Sequence, residues 1–114
     1  MSLTYYHGET PQRIDPDRAN EIFEAMIDPT FRKILAGIKD NSKTVLQISK
    51  DLELSISMTY RILNKLNEKK LLIVTGEINS RHKKASKYKS KIRKIITTFD
   101  ENITDVKIYS NLRD

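Results

Sequence analysis

The sequence predicts an α+β fold in which helices come first and strands follow. Three observations predict it. Up to Lys69, apolar residues recur at helical spacing in successive blocks. From Leu71 that spacing gives way to β-branched runs and to alternation with a period of two. The helical blocks open on cap signals: Asp15-Pro16, Asp28-Pro29, Thr44 and Ser55.

The blocks justify themselves in order. Residues 1–14 are polar, carry Gly8 and Pro11, and read as a flexible N-terminal arm. An extra N-terminal helix follows from about Pro16 to Ile27. Its apolar stripe is Ala19, Ile22, Phe23, Met26 and Ile27. The next helix runs from Pro29 to about Lys39, with Phe31, Ile34, Leu35 and Ile38 inward. Asp40-Asn41-Ser42 is a loop, and a strand of one or two residues near Lys43 fits after it. Thr44 and Gln47 form a Thr-x-x-Gln capping box for a helix at about 44–52. The period breaks at Asp51-Leu52-Glu53-Leu54. Ser55 caps a further helix at 56–69, whose inward residues are Thr59, Ile62, Leu63 and Leu66.

Leu71-Leu72-Ile73-Val74-Thr75 then reads as a strand, with a turn over Gly76 to Ser80. A return strand alternates Lys87, Lys89 and Lys91 against Ser86, Tyr88 and Ser90. In the tail, Ile92, Ile95, Ile96 and Phe99 fit a helical stripe, yet Ile and Thr dominate and both prefer strands. A C-terminal β-hairpin of about 92–99 with 103–110 is favoured over a helix, with a turn at Asp100-Glu101-Asn102.

At 114 residues, one domain with a modest core is expected. We divide it into the arm at 1–14, a binding domain at 15–91 and a C-terminal extension at 92–114. The absence of cysteine excludes disulfides and thiolate-bound metal, and fits a reducing compartment. No apolar run approaches the roughly 20 residues that span a bilayer, and no signal pattern opens the chain. A cytoplasmic protein with no membrane partner is the expectation.

Charge is distributed unevenly. Of a net +6, residues 1–28 contribute −4, from two basic and six acidic groups. Residues 100–114 contribute −2, from two and four. The middle therefore holds 17 basic and 5 acidic side chains, a balance of +12. A basic centre between acidic ends points to a face for a polyanion. From Arg81 to Lys94 there are eight lysines and arginines and no acid.

The helix after Ser55 carries the chemistry of a DNA reader. Opposite its aliphatic stripe lie Ser57, Met58, Tyr60, Arg61, Asn64 and Lys65, small polar or hydrogen-bonding groups suited to a major groove. Arg61 can pair with guanine O6 and N7, or sit beside Glu68 or a phosphate. Tyr60 can reach a phosphate or a thymine methyl, or pack on the following strands. Asn64 can read adenine from two turns in. Ser55 and Ser57 lie where a helix N-terminus favours phosphate, and can serve as caps as well. Met58 suits an apolar contact. Arg81, His82, Lys83 and Lys84 form a basic tip, and Lys87 extends it or keeps an edge strand soluble. No phosphate loop, nucleophile elbow or metal-spaced His pair occurs, so neither an enzyme nor a cofactor is expected.

Helices followed by a strand, a basic turn and a return strand make a winged helix-turn-helix: a three-helix core plus β-wing. The residues 28–35 (DPTFRKIL), 48–52 (ISKDL), 55–66 (SISMTYRILNKL) and 69–72 (KKLL) resemble the ArsR-like and MarR-like winged-helix transcription regulators of bacteria and archaea. The likeness covers about residues 28–90, and is of archaeal type. It implies a homodimer that binds double-stranded DNA in a sequence-specific way. It places helix 56–69 in the major groove and the basic wing 76–86 on the backbone or minor groove. Glu53 stands where such turns commonly carry Gly. Apolar residues of the first helix and the tail exceed what one winged helix buries, and suit a dimer interface. An RNA-binding winged helix, or a protein-interaction module of a larger transcription or chromatin assembly, is the alternative.

Overall fold

The computed structural model describes residues 12–13, 15–78, 84–99 and 104–111. Four helices come first: α1 (Pro16–Ile27), α2 (Pro29–Gly37), α3 (Val45–Leu52) and α4 (Ile56–Glu68). Five strands complete the fold: β1 (Gln12–Arg13), β2 (Leu72–Ile78), β3 (Lys84–Ser90), β4 (Ile92–Phe99) and β5 (Thr104–Ser110).

Each helix starts where its cap requires. The Asp15 carboxylate accepts from Arg18 N–H at 3.0 Å, and the Asp28 carboxylate accepts from Thr30 N–H at 2.8 Å. Both helices have proline in the first turn, where its missing N–H costs nothing. Asp28 also ends α1 in extended backbone, which separates the two helices as the repeated Asp-Pro signal required. Arg32 reaches back and donates to the carbonyls of Met26 and Ile27, satisfying the α1 C-terminus. The second helix stops at Gly37, earlier than its periodicity suggests; Ile38 leaves helical backbone and still faces the core. The expected capping box is present: Gln47 N–H to Thr44 Oγ1 at 3.2 Å, and Thr44 N–H to Gln47 Oε1 at 2.9 Å.

One hydrophobic core joins all four helices to the strands. Ile22, Ile34, Ile38, Ile48, Leu63, Leu66 and Leu71 are fully buried within it. The inward residues expected on α4 are all buried. On α1 the stripe is only partly right. Ala19, Ile22 and Ala25 turn inward, whereas Phe23 and Ile27 are 43% and 64% exposed. The helix meets the core along its narrow alanine side, which leaves the bulky edge uncovered.

Strands β2 and β3 pair antiparallel from Leu72↔Ser90 to Ile78↔Lys84. Gly76 is therefore a strand residue opposite Ser86, not the start of a turn. Ladder bonds override its weak strand propensity, and the wing is longer than composition indicates. The bend itself falls outside the described residues. Lys43 forms the short extra strand expected there, bridging Tyr88. The return strand does not present a uniformly solvated basic row: Lys91 is exposed, but Lys89 is buried.

The tail is the β-hairpin. Its first strand has β-branched Ile or Thr at five of eight positions, which favours pleated backbone over helix. Strands β4 and β5 pair antiparallel from Ile92↔Ser110 to Phe99↔Thr104, and its turn also lies outside the described residues. Ile92 and Ile108 enter the common core. The register shifts between Ile92 and Lys94, so Arg93 is a bulge residue. Residues 12–13, expected within a flexible arm, instead pair with Ile108 and Lys107 of β5. The rest of that arm, residues 1–11 and 14, is outside the described residues.

Candidate nucleic-acid interface

The front of the molecule is built by α3, the bend after it and α4. The bend is tight. Glu53 adopts left-handed backbone, φ 55° and ψ 43°, at the C-cap of α3. Leu54 N–H donates to Ser49 O at 3.0 Å, and Ser49 Oγ donates to Leu54 O at 2.6 Å. These bonds close the loop of α3 into α4. Ser55 then caps α4, its Oγ accepting from Met58 N–H at 3.1 Å. Buried Thr59 anchors that turn by donating its hydroxyl to Ser55 O at 2.8 Å.

Anchoring the inner side of α4 fixes its outer side. Ser55, Ser57, Met58, Tyr60, Arg61, Asn64 and Lys65 are all exposed. They lie along the side opposite Thr59, Ile62, Leu63 and Leu66, as helical geometry requires. Arg61 makes no ion pair with Glu68. The Ser55 hydroxyl serves as a cap, with Ser57 Oγ 3.5 Å from it. Lys65 departs from the group. It lines a cleft of about 580 Å³ shared with Glu21, Glu24, Asp28 and Glu68, whose acids oppose a phosphate there.

Among the basic tip residues, Arg81, His82 and Lys83 lie outside the described residues. Lys84 opens β3 opposite Ile78, and Lys87 sits opposite Thr75, half-buried. Tyr88 of the wing packs against the common core. Burial raises its hydroxyl above the usual tyrosine pKa, and the neighbouring Tyr60 hydroxyl raises it further; a hydrogen bond with Ser86 acts in the opposite sense. Tyr60 itself is 48% exposed.

Two further exposed residues of α3 and α4 lie outside the candidates expected from the sequence. Ile56 and Leu46, the first on α4 and the second on α3, are large exposed apolar residues. Both fall off the inward stripes, and that mismatch was the available signal. A surface of this kind offers hydrogen-bond donors, a cation and apolar groups from one rigid helix. That combination can meet base edges and thymine methyls. Among the described residues, no cluster of three or more His, Cys, Asp or Glu is placed to hold a metal ion. Nor is any helix among them long and apolar enough to cross a membrane.

Comparison with solved structures bears on this geometry. Reduced HlyU from Vibrio cholerae N16961 superposes with a TM-score of 0.57 and 26% identity, over 65% of this chain and 73% of that one. The fold is a winged helix-turn-helix. NolR from Sinorhizobium fredii gives a TM-score of 0.55 at 22% identity, covering 72% of this chain and 83% of NolR. An ArsR family transcriptional regulator gives 0.52 at 19%, covering 69% and 76%. At such identities the NolR and ArsR-family likenesses concern the fold. No protein-family model and no curated protein sequence matches this chain.

Proposed function

We propose that this chain is a DNA-binding transcription regulator, without chemistry of its own, that acts as a homodimer on double-stranded DNA. One observation carries the reading: α4 is pinned by its buried side, so Arg61, Tyr60 and Asn64 project together from a rigid helix. The central excess of 17 basic over 5 acidic residues supplies the attraction to phosphate. The fold shared with an ArsR family transcriptional regulator supports the same reading. In it α4 enters the major groove, with Arg61 on guanine and Tyr60 on a phosphate or thymine methyl. Ser55 and Ser57 hold phosphate at the helix N-terminus. Met58 and Asn64 contact base edges, and Lys65 lies at the rim. Arg81, His82, Lys83, Lys84 and Lys87 of the wing grip the backbone or minor groove.

The homodimer rests on the bare edge of α1, where Phe23 and Ile27 are exposed one helical turn apart. Such a pair is costly to leave in water and suits a two-fold contact.

Selection from random duplexes tests the reading. A two-fold symmetric site with half-sites about one helical turn apart is expected. Arg61→Ala should cost about 1–3 kcal/mol of discrimination at one base pair. Lys83→Ala with Lys84→Ala should lower the salt slope by about 0.9 for each phosphate that is no longer neutralised. Equal affinity for duplex DNA, duplex RNA and single strands would refute it.

A further inference from the structure

We propose that the cleft between α2 and β4 is a binding site for a small aliphatic carboxylate. The cleft has a volume of about 340 Å³, within the range of small-molecule sites. Its apolar lining comes from Met26, Leu35, Ile92 and Ile95, and no aromatic ring among the described residues contributes. That lining suits a flexible alkyl chain better than a flat ring.

The polar lining has one sign. Arg32, Lys39, Arg93 and Lys94 all border the cleft, and no acid lies among its described lining residues. Arg93 is ion-paired with Asp40, Arg32 is hydrogen-bonded to carbonyls and Lys94 lies over the Tyr109 ring. Cations still predominate beside the apolar floor, which favours an amphipathic anion over a neutral or cationic molecule.

Arg93 supplies the decisive detail. The β-bulge carries it out of the β4–β5 ladder. Its side chain is 15% exposed. Its Nη1 donates to Asp40 Oδ1 at 3.0 Å and to Asn111 Oδ1 at 3.1 Å. Its Nε is buried and has no acceptor among the described residues. A buried donor left unpaired is unfavourable, and a small shift of the Arg93 side chain toward the cleft would let a carboxylate bound there accept from it. The alkyl chain would then cover Leu35, Ile92 and Ile95. This site is independent of the nucleic-acid reading, because it is separate from the exposed face of α4.

Isothermal titration of the full chain at neutral pH with octanoate tests the proposal. Saturable binding with one site per chain is expected, with octanamide and acetate each at least tenfold weaker. The neutral amide lacks the charge, and acetate lacks the chain. Arg93→Lys, which keeps charge but removes Nε, should weaken octanoate at least tenfold. Ala36→Phe, which fills the cleft from α2 and leaves Arg93 in place, should do the same with an unchanged melting temperature. Should Arg93→Lys fail to fold, Ala36→Phe carries the test alone. Failure of octanoate to saturate, an equal affinity for octanamide or acetate, or unchanged binding by a folded Arg93→Lys or by Ala36→Phe would each overturn the proposal.

Discussion

Lys43 and Tyr88 exchange backbone hydrogen bonds in both directions, Lys43 N–H to Tyr88 O at 3.0 Å and Tyr88 N–H to Lys43 O at 2.8 Å. The residue next to Lys43 is Thr44, the cap of α3. The wing is therefore stitched to the start of the helix-turn-helix. Tyr88 packs against the common core as well.

The Tyr88 hydroxyl gives this junction a pH signature. Its folded-state pKa is raised by burial above the ordinary value of about 10. Below that value both folded and unfolded chains hold the proton, so the contribution to stability is constant. Above about pH 10 the unfolded chain releases its proton first, and stability falls until the folded value is passed. Melting temperatures from pH 8 to 11 should fall less steeply in Tyr88→Phe than in the parent. Ultraviolet titration should show one tyrosine ionising late, absent from the variant.

Glu53 holds left-handed backbone at φ 55°, a conformation that costs a non-glycine residue about 1–2 kcal/mol. Glycine relieves that strain but adds about 0.4–1 kcal/mol of unfolded-state entropy. Glu53→Gly should therefore stabilise the fold by roughly 0.5–1 kcal/mol, the difference of those two effects. Urea denaturation should show a higher midpoint at an unchanged slope.

Asn111 fastens the tail to the helices. Its Nδ2 donates to Lys39 O and to Ser90 O, each at 2.8 Å, while its N–H donates to Lys91 O at 2.7 Å. Replacing Asn111 with Ala removes the donor to one buried and one part-buried carbonyl and an acceptor from Arg93. A loss of about 1–3 kcal/mol is expected. Hydrogen exchange should rise in β5 before it rises in α4.

Ile27 and Phe23 test the proposed dimer. Ile27→Glu places a charge on the bare edge of α1, at a residue 64% exposed in the single chain. Folding should be nearly unaffected, because the position lies outside the core. Sedimentation should show the dimer weakened at least tenfold, about 1.4 kcal/mol. A variant that dimerises as well as its parent would move the interface elsewhere.

Much of this was legible in the residues. Asp15, Asp28, Thr44 and Ser55 act through their own local backbone, so each helix start could be read from its cap. The inward side of α4 was legible too, since Thr59, Ile62, Leu63 and Leu66 repeat at one turn. The outward face of the candidate site followed from the same period.

Local sequence alone decided the helix starts, the pairing tendency of the β-branched tail and the side of α4 that meets water. Only the tertiary structure decided the rest. It drew Gly76 into a ladder, turned α1 onto its alanines and left Phe23 outside. It also paired Gln12 and Arg13 with β5, and swung Arg93 into a bulge beside an apolar cleft. Caps and periods act within one turn of chain, whereas these outcomes depend on partners many residues away, which no local pattern contains.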